Sequence, residues 1–476
     1  MHPLANLDHR YVWHPFTQMR DWLKREPIVI VEGEGAVLRD VHGRKYLDAN
    51  SSIWTNLHGH NHPNINRAIE RQLKKIAHSS ALGLANEPAS KLAKKLIAAA
   101  RAHSSHASRI THHASRSKPL TKVFFSDDGS TAMEVALKLA YEYARRTARS
   151  KRPKFLSLDG AYHGDTTGAV ALGHIDLFHK AYSALLFKTD KVKAPYCYRC
   201  PFNRAKPDRA DAREYRKCDW ECVDKLENKF ANQEKKGNPY TAFVFEPLIQ
   251  GAAGMIPQPS GWLKRAAEIS RAHGALLIAD EVMTGFGRTG AACALFACQQ
   301  EGVQPDFMAL AKGLTGGYLP MAATLTTQPI FDAFLGEYHE FKTFFHGHSF
   351  TGNQLGAAAA LANIEILESS ASNRARRTLE VIIEKELQNL WSLPNVGDVR
   401  QVGLIAGIEL VRSWRTREPF DLRERAGIRV CEAMAKRGIL TRPIGNVIVL
   451  MPPYCTTRAQ VKQMVGALKD AVAEVF

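Results

Sequence analysis

The stretch that most constrains this chain lies between Ala275 and Gly317, where two short apolar runs each end on a charged residue. The first, Ala275–Ala279, ends on Asp280, and the second, Phe307–Ala311, ends on Lys312. Runs this short and this uniformly apolar, bounded by polar or glycine-rich turns, have the pattern of strands buried on both faces of a parallel sheet. In such sheets ligands gather at the carboxyl ends of the strands. Asp280 and Lys312 are both expected to emerge there.

An acid and a lysine facing one ligand are what pyridoxal phosphate requires. The lysine forms a Schiff base with the aldehyde, and the acid keeps the ring nitrogen protonated so that the ring accepts electrons. Each residue alone has a plainer reading, as a helix cap or a solvated lysine, so the weight lies in what accompanies them. Thr121–Phe125 reads as a strand and is followed by SDDGSTAMEVALKLAYEYA. Gly129 permits a tight approach, and Ser130 and Thr131 open a long helix whose bare amides and dipole suit a phosphate. On its own this is only a good helix start. A further strand, Lys154–Leu158, leads into Asp159-Gly-Ala-Tyr162-His163-Gly164-Asp165. Tyr162 there can stack on a flat ring, or simply pack at the strand end.

From Val123 to about Phe350 apolar strands alternate with helical stretches, the rhythm of a doubly wound α/β domain. Residues 28–48 read as short strands with turns, and Asn64–Ala77 has helical periodicity. After Gly352 the chain is helical to about Leu393, and strand candidates follow at Val399–Val411 and Asn446–Met451. The expected division is 1–65 as an N-terminal segment joining the small domain, 66–350 as the large domain, and 351–476 as the C-terminal small domain. Residues 101–118, rich in His, Ser and Arg, read as an exposed insertion.

The net charge of +17 raises the possibility of nucleic acid or an anionic surface. The basic residues are spread out, however, and no nucleic-acid module is present. No apolar run approaches the ~20 residues that span a bilayer. The N-terminus lacks the apolar core of a signal peptide, so the cytoplasm is the expected compartment. Cys197, Cys200, Cys218 and Cys222 follow a C-x2-C, C-x3-C spacing that resembles a structural zinc ribbon. The alternative, a reduced surface loop with free thiols, is preferred, and no metal is expected. Cys293, Cys298, Cys431 and Cys455 read as small buried hydrophobes.

The segments GSTAMEVALKLA, AYHGDT, FEPLIQG, ADEVMTGFGRTG and AKGLTGGYLP occur in the order found in the class III aminotransferases. The resemblance covers essentially the whole chain. It implies a fold-type I pyridoxal phosphate enzyme, with a large, mostly parallel sheet domain and a small α+β domain. Three narrower segments, WHPFTQM, SSIWTNLHGHNHP and FFHGHSFTGNQLG, together with LTRPIGNVIVLMPPY, resemble the branch that aminates 8-amino-7-oxononanoate in biotin biosynthesis. The resemblance makes Lys312 the cofactor-bearing lysine and proton carrier, and Asp280 the ring-nitrogen partner. Gly129 and Ser130 would hold the phosphate, Tyr162 would stack on the ring and offer its hydroxyl to substrate, and Glu246 would lie behind the ring. A homodimer is implied, with His348 and Ser349 completing the phosphate site of the neighbouring subunit and Gly347 beside the substrate. Arg288 and Arg442 match arginines that meet substrate carboxylates. Phe16 and Trp54 would line the apolar substrate channel.

The family's common pattern has a Trp-Trp pair where this chain has Ile53-Trp54, and often has Tyr where Phe16 stands. Both positions lie on the substrate side and remove an indole and a phenol. Adenosylmethionine is the expected amino donor. Lysine is the alternative, because a subset of relatives that uses it carries a similar pattern. A different class III ω-amino acid aminotransferase and a basic nucleic-acid-binding protein are the remaining alternatives.

Overall fold

The computed structural model describes residues 1–102, 118–290 and 294–476 of the chain. Most of the 101–118 insertion, and Cys293, lie outside the described residues. The central sheet has seven strands among the described residues. Their spatial order is Leu120–Ser126, Ala322–Thr327, Phe307–Leu310, Leu276–Asp280, Ala242–Phe245, Phe155–Leu158 and Asp190–Val192. Ala322–Thr327 runs antiparallel to both neighbours, and the other pairs are parallel. The two apolar runs read from the sequence are therefore adjacent parallel strands. Ile278 pairs with Phe307, and Asp280 is level with Ala309. That register brings Asp280 and Lys312 out at the same edge.

The central strands form because both their faces have somewhere to go. Alternate side chains point to opposite faces of a sheet. Phe243 and Leu277 pack beneath the helices Glu221–Lys235 and Trp262–Ala272, whereas Val244, Ile278 and Phe307 pack beneath the helix Gly129–Arg146. Each large side chain fully buried in this way contributes roughly 1.5–3 kcal/mol. Among the described residues no helix is long and apolar enough to cross a membrane.

Two smaller sheets flank the carboxyl edge. In the first, Ile30–Glu34, Val37–Asp40 and Lys45–Asp48 are joined by Ile439–Leu440, which pairs in parallel with Lys45–Asp48. In the second, Val396–Val402, Ile405–Ser413 and Val447–Leu450 are the principal strands. The single strand candidate at 399–411 is thus a hairpin. Gly403, with φ of 59°, makes the turn, and a Cβ there would collide with the backbone of Gly290. The helix expected at 64–77 spans Pro63–Leu73, started by His62, whose Nδ1 accepts from Asn64 N–H.

Arg400 ties the second small sheet to the large one. It is 1% exposed. Its Nη1 lies 3.0 Å from Asp398 and 2.6 Å from Glu409, while Nε donates to the carbonyls of Met255 at 2.8 Å and Gly254 at 3.2 Å. Those carbonyls belong to the turn that begins at Gly251, whose N–H donates to Glu246. Removing one member of a buried ionic group leaves the others unpaired in a medium that solvates them poorly. Arg400→Met is expected to lower stability by about 3–5 kcal/mol, read as a lower midpoint in thermal or urea unfolding. A midpoint equal to the wild type would show that the network carries no weight.

Candidate active site

A cavity of about 690 Å³ opens at the carboxyl edge of the central sheet. Its walls include Trp54, Gly129, Ser130, Tyr162, Glu246, Asp280 and Lys312, so seven residues selected from the sequence converge on one space. Lys312 follows directly on its strand through Ala311 and has φ of 43°, an uncommon conformation for a side-chain-bearing residue. Burial holds its amine below the ordinary lysine range, although Asp280 and Glu246 favour the charged form. A lysine so placed is not the solvated side chain that the plainer reading of the sequence allowed. Its Nζ lies 4.9 Å from the centre of the Trp54 indole.

Asp280 ends the neighbouring strand. Its Oδ2 is 2.7 Å from His163 Nδ1, and its Oδ1 accepts from Val282 N–H at 3.1 Å. The His163 side chain is fully buried, so the pair is dry and the carboxylate is fixed in direction. Glu246 follows the Ala242–Phe245 strand. Burial pushes its carboxyl up to about 7, against the N–H groups of Gly251 and Tyr162 that it accepts from at 2.7 and 3.4 Å. The Tyr162 hydroxyl donates to Asp165 Oδ2 at 2.8 Å, and its ring stacks with His179 and meets Phe178 edge-on.

The helix that opens at Gly129 supplies the anion end. Asp128 is its cap, accepting from Thr131 N–H at 2.8 Å while its own N–H donates to Thr131 Oγ1 at 2.9 Å. Ser130 Oγ lies 2.9 Å from Thr166 Oγ1 and accepts from Thr166 N–H at 2.9 Å, which joins the helix start to the loop after Tyr162. At Gly129 a Cβ would stand 2.6 Å from Val282 Cγ1. The residue is glycine because Val282, just beyond Asp280, fills the space. First-turn amides on one wall, a fixed carboxylate and a buried amine on the others form a donor set that fits pyridoxal phosphate.

Other selected residues lie outside the cavity wall. Arg288 is buried behind the wall. It is 1% exposed, and its two Nη atoms donate to the carbonyls of Pro452 at 3.0 Å and Asn56 at 2.9 Å. Its guanidinium thereby joins two distant loops, and its buried Nε has no partner among the described residues. Arg442 is exposed in the short link between Ile439–Leu440 and Pro443–Ile444, Ile53 is 44% exposed, and neither is part of the wall. Phe16 is exposed and packs edge-on against Phe178, which in turn meets Tyr162. Gly347, His348 and Ser349 form a rim segment. His348 Nδ1 is 3.2 Å from Asp127, a wall residue, and Ser349 O accepts from His78 Nε2 at 2.9 Å.

Sequence reasoning missed His163, Asp165 and Thr166. His163 and Asp165 stand in the quoted run after Lys154–Leu158 and Thr166 ends the AYHGDT segment, and the signal available was a histidine and an acid beside the chosen tyrosine. The four clustered cysteines line one small void of about 10 Å³ together with Arg216, which donates to Cys218 Sγ at 2.9 Å. Burial pushes Cys197 up to about 12 and Cys222 to about 11. Among the described residues no group of three or more His, Cys, Asp or Glu is placed to hold a metal. Cys298 and Cys431 are buried as expected, but Cys455 is exposed.

Residues 19–472 match the family model Aminotransferase class-III. An adenosylmethionine-8-amino-7-oxononanoate aminotransferase of Geobacter sulfurreducens is 47% identical over 99% of this chain and 98% of its own length. The crystal structure of the enzyme of that name from Methanocaldococcus jannaschii superposes with a TM-score of 0.87 at 40% identity, covering 99% of this chain and 98% of that one. An amine transaminase from an uncultivated Pseudomonas species, solved in its PLP-bound form, gives 0.85 at 32% identity over 98% and 99%.

Gly129→Ala is expected to weaken pyridoxal phosphate binding roughly tenfold, since overpacking against Val282 displaces the helix start. Val282→Ala in the same chain should restore most of the loss. Titration of the stripped protein with cofactor checks both, and an unchanged affinity in Gly129→Ala would show that the close approach is unnecessary.

Proposed function

The chain belongs to the class-III aminotransferases, and from that premise we propose that it transfers an amino group to 8-amino-7-oxononanoate, forming 7,8-diaminononanoate for biotin synthesis. Its cofactor is pyridoxal phosphate, and S-adenosylmethionine is its amino donor. The observation that carries the reading is the meeting, in one cavity, of the buried Lys312 amine, the Asp280 carboxylate and the open helix start at Gly129.

When bound, pyridoxal phosphate supplies an aldehyde for amines and a ring that accepts electrons. The chain's residues supply the rest. Lys312 Nζ, held toward its neutral form by burial, takes a proton from the carbon that bears the donor's amine and returns it nearby. Asp280, aimed by His163, presents its charge to the ring nitrogen. Gly129 and Ser130 offer backbone amides to the phosphate. Trp54 closes the cavity over Lys312, and Tyr162 bounds the substrate side.

A homodimer is part of the proposal. His348 and Ser349 lie on the rim beside Asp127, flanked by Phe345 at 73% and Phe350 at 59% exposure. A second copy would cover these rings and bring the rim segment to its own phosphate site. The cytoplasm is the proposed compartment, in keeping with the free state of every described cysteine.

Lysine as donor is the second reading. Phe16 reaches Tyr162 only through Phe178 and carries no hydroxyl, and Ile53 contributes no second indole to the wall. A short aliphatic donor does not need either group.

Lys312→Ala is expected to fold and to lose turnover by roughly 10²–10⁴-fold or more. Borohydride treatment of the native protein should fix the cofactor to the peptide that contains Lys312, and label on any other lysine would overturn the assignment. Single-turnover loss of the cofactor's visible band, followed by a coupled assay with 8-amino-7-oxononanoate, separates the donors. Adenosylmethionine is expected to discharge the band efficiently. Efficient discharge by lysine with none by adenosylmethionine would reverse the donor.

A further inference from the structure

Four consecutive residues beside the cavity, Ser51, Ser52, Ile53 and Trp54, have positive φ, at 46°, 48°, 69° and 69°. Residues other than glycine visit this region singly, because the left-handed turn presses Cβ against the next carbonyl oxygen. Ile53 is β-branched, the type that tolerates it least. Such strain persists only where the surroundings over-determine the conformation.

One buried carboxylate supplies most of that determination. Asp48, 3% exposed, accepts on Oδ1 from the N–H groups of Asn50 at 3.2 Å and Ser52 at 3.1 Å. Its Oδ2 accepts from Ser52 Oγ at 2.9 Å and from His60 Nε2 at 3.1 Å. His60 Nδ1 lies 2.9 Å from the Asn56 amide nitrogen, so the imidazole has a donor's task on one side and an acceptor's on the other. Ser51 Oγ ties the start of the turn to the carbonyl of Met451 at 2.7 Å, and Trp54 Nε1 returns to Asn50 Oδ1 at 2.9 Å. The product is the placement of the Trp54 indole, packed with Ile249 and Met283 and facing Lys312 Nζ. A right-handed or extended 51–54 segment would carry the indole elsewhere.

We infer that Asp48, with His60 as its partner, is a positioning residue, holding the left-handed turn that sets Trp54 over Lys312 and thereby fixing where an amine lies when it reaches that lysine. Asp48 does not line the cavity, so it acts through the turn. The inference rests on the amino-transfer reading above.

The test uses Asp48→Asn, Ile53→Gly and the double variant, in the half-reaction with whichever amine discharges the wild-type cofactor band. An asparagine side chain has one acceptor oxygen and one NH2 donor, so it cannot accept all four bonds that the two Asp48 oxygens accept, whereas glycine at 53 adopts positive φ without strain. Asp48→Asn is expected to retain the cofactor band and to raise the apparent KM for the amine about tenfold, while the rate at saturation changes by less than about threefold. Ile53→Gly in that background should recover most of the KM and raise the thermal midpoint of the cofactor-free protein. An unchanged KM in Asp48→Asn overturns the inference. So does joint loss of band, rate and thermal midpoint that Ile53→Gly does not repair, since that marks a general structural role. Should no amine discharge the wild-type band, the amino-transfer reading fails, and the cofactor-free thermal comparison still decides whether Asp48 clamps a strained turn.

Discussion

Lys312 is an amine buried at the edge of a sheet, and burial opposes its charge while Asp280 and Glu246 favour it. Much of the architecture follows from keeping that opposition in place. The lysine must leave a strand that is apolar on both faces, or water would reach it. The acid must leave the adjacent parallel strand, or the two would not share a cavity. Ile278 paired with Phe307 and Asp280 level with Ala309 meet both conditions. His163 then fixes the direction of Asp280.

How much of this was legible in the sequence depends on where the information is stored. The strands around Asp280 and Lys312 were legible because burial on both faces leaves an unbroken apolar run. The helix start at Gly129 was legible because capping residues act within one turn. The hairpin at Gly403 was not, since its cause is the backbone of Gly290, more than a hundred positions away. Arg288 stands next to the Asp280 loop in the chain and carries the charge a carboxylate would want. Yet its Nη atoms are bonded to the carbonyls of Pro452 and Asn56, partners that periodicity cannot reveal. His163 was in view and passed over because the tyrosine beside it offered the more obvious ring.

The cavity draws on two sources that do different work. The central sheet and the helix at Gly129 supply charge: the amine, the carboxylate and the open amides. The N-terminal segment supplies shape through Trp54, held by a turn that Asp48 and Met451 pin from two directions. The second small sheet reaches the site differently, through Arg400 and the turn whose Gly251 N–H holds Glu246. Each source is fixed by buried polar contacts of its own, and the Arg400 and Asp48 networks have no member in common among the bonds described.

That separation bears on how the donor is chosen. Changes to the charge-bearing residues would alter the chemistry for every amine alike, because Lys312 and Asp280 act on atoms all donors share. Changes on the side of the N-terminal segment need not. Ile53 and Phe16, the two departures from the family's common pattern, both belong to it. Neither lines the cavity, and one stands within the left-handed turn itself. A turn held in a conformation its own residues resist has few alternatives close in energy, so it presents one wall and not a range of walls. On the proposed amino-transfer reading, a change of donor is to be sought in the residues this N-terminal turn presents, with the lysine and the acid behind it left as they are.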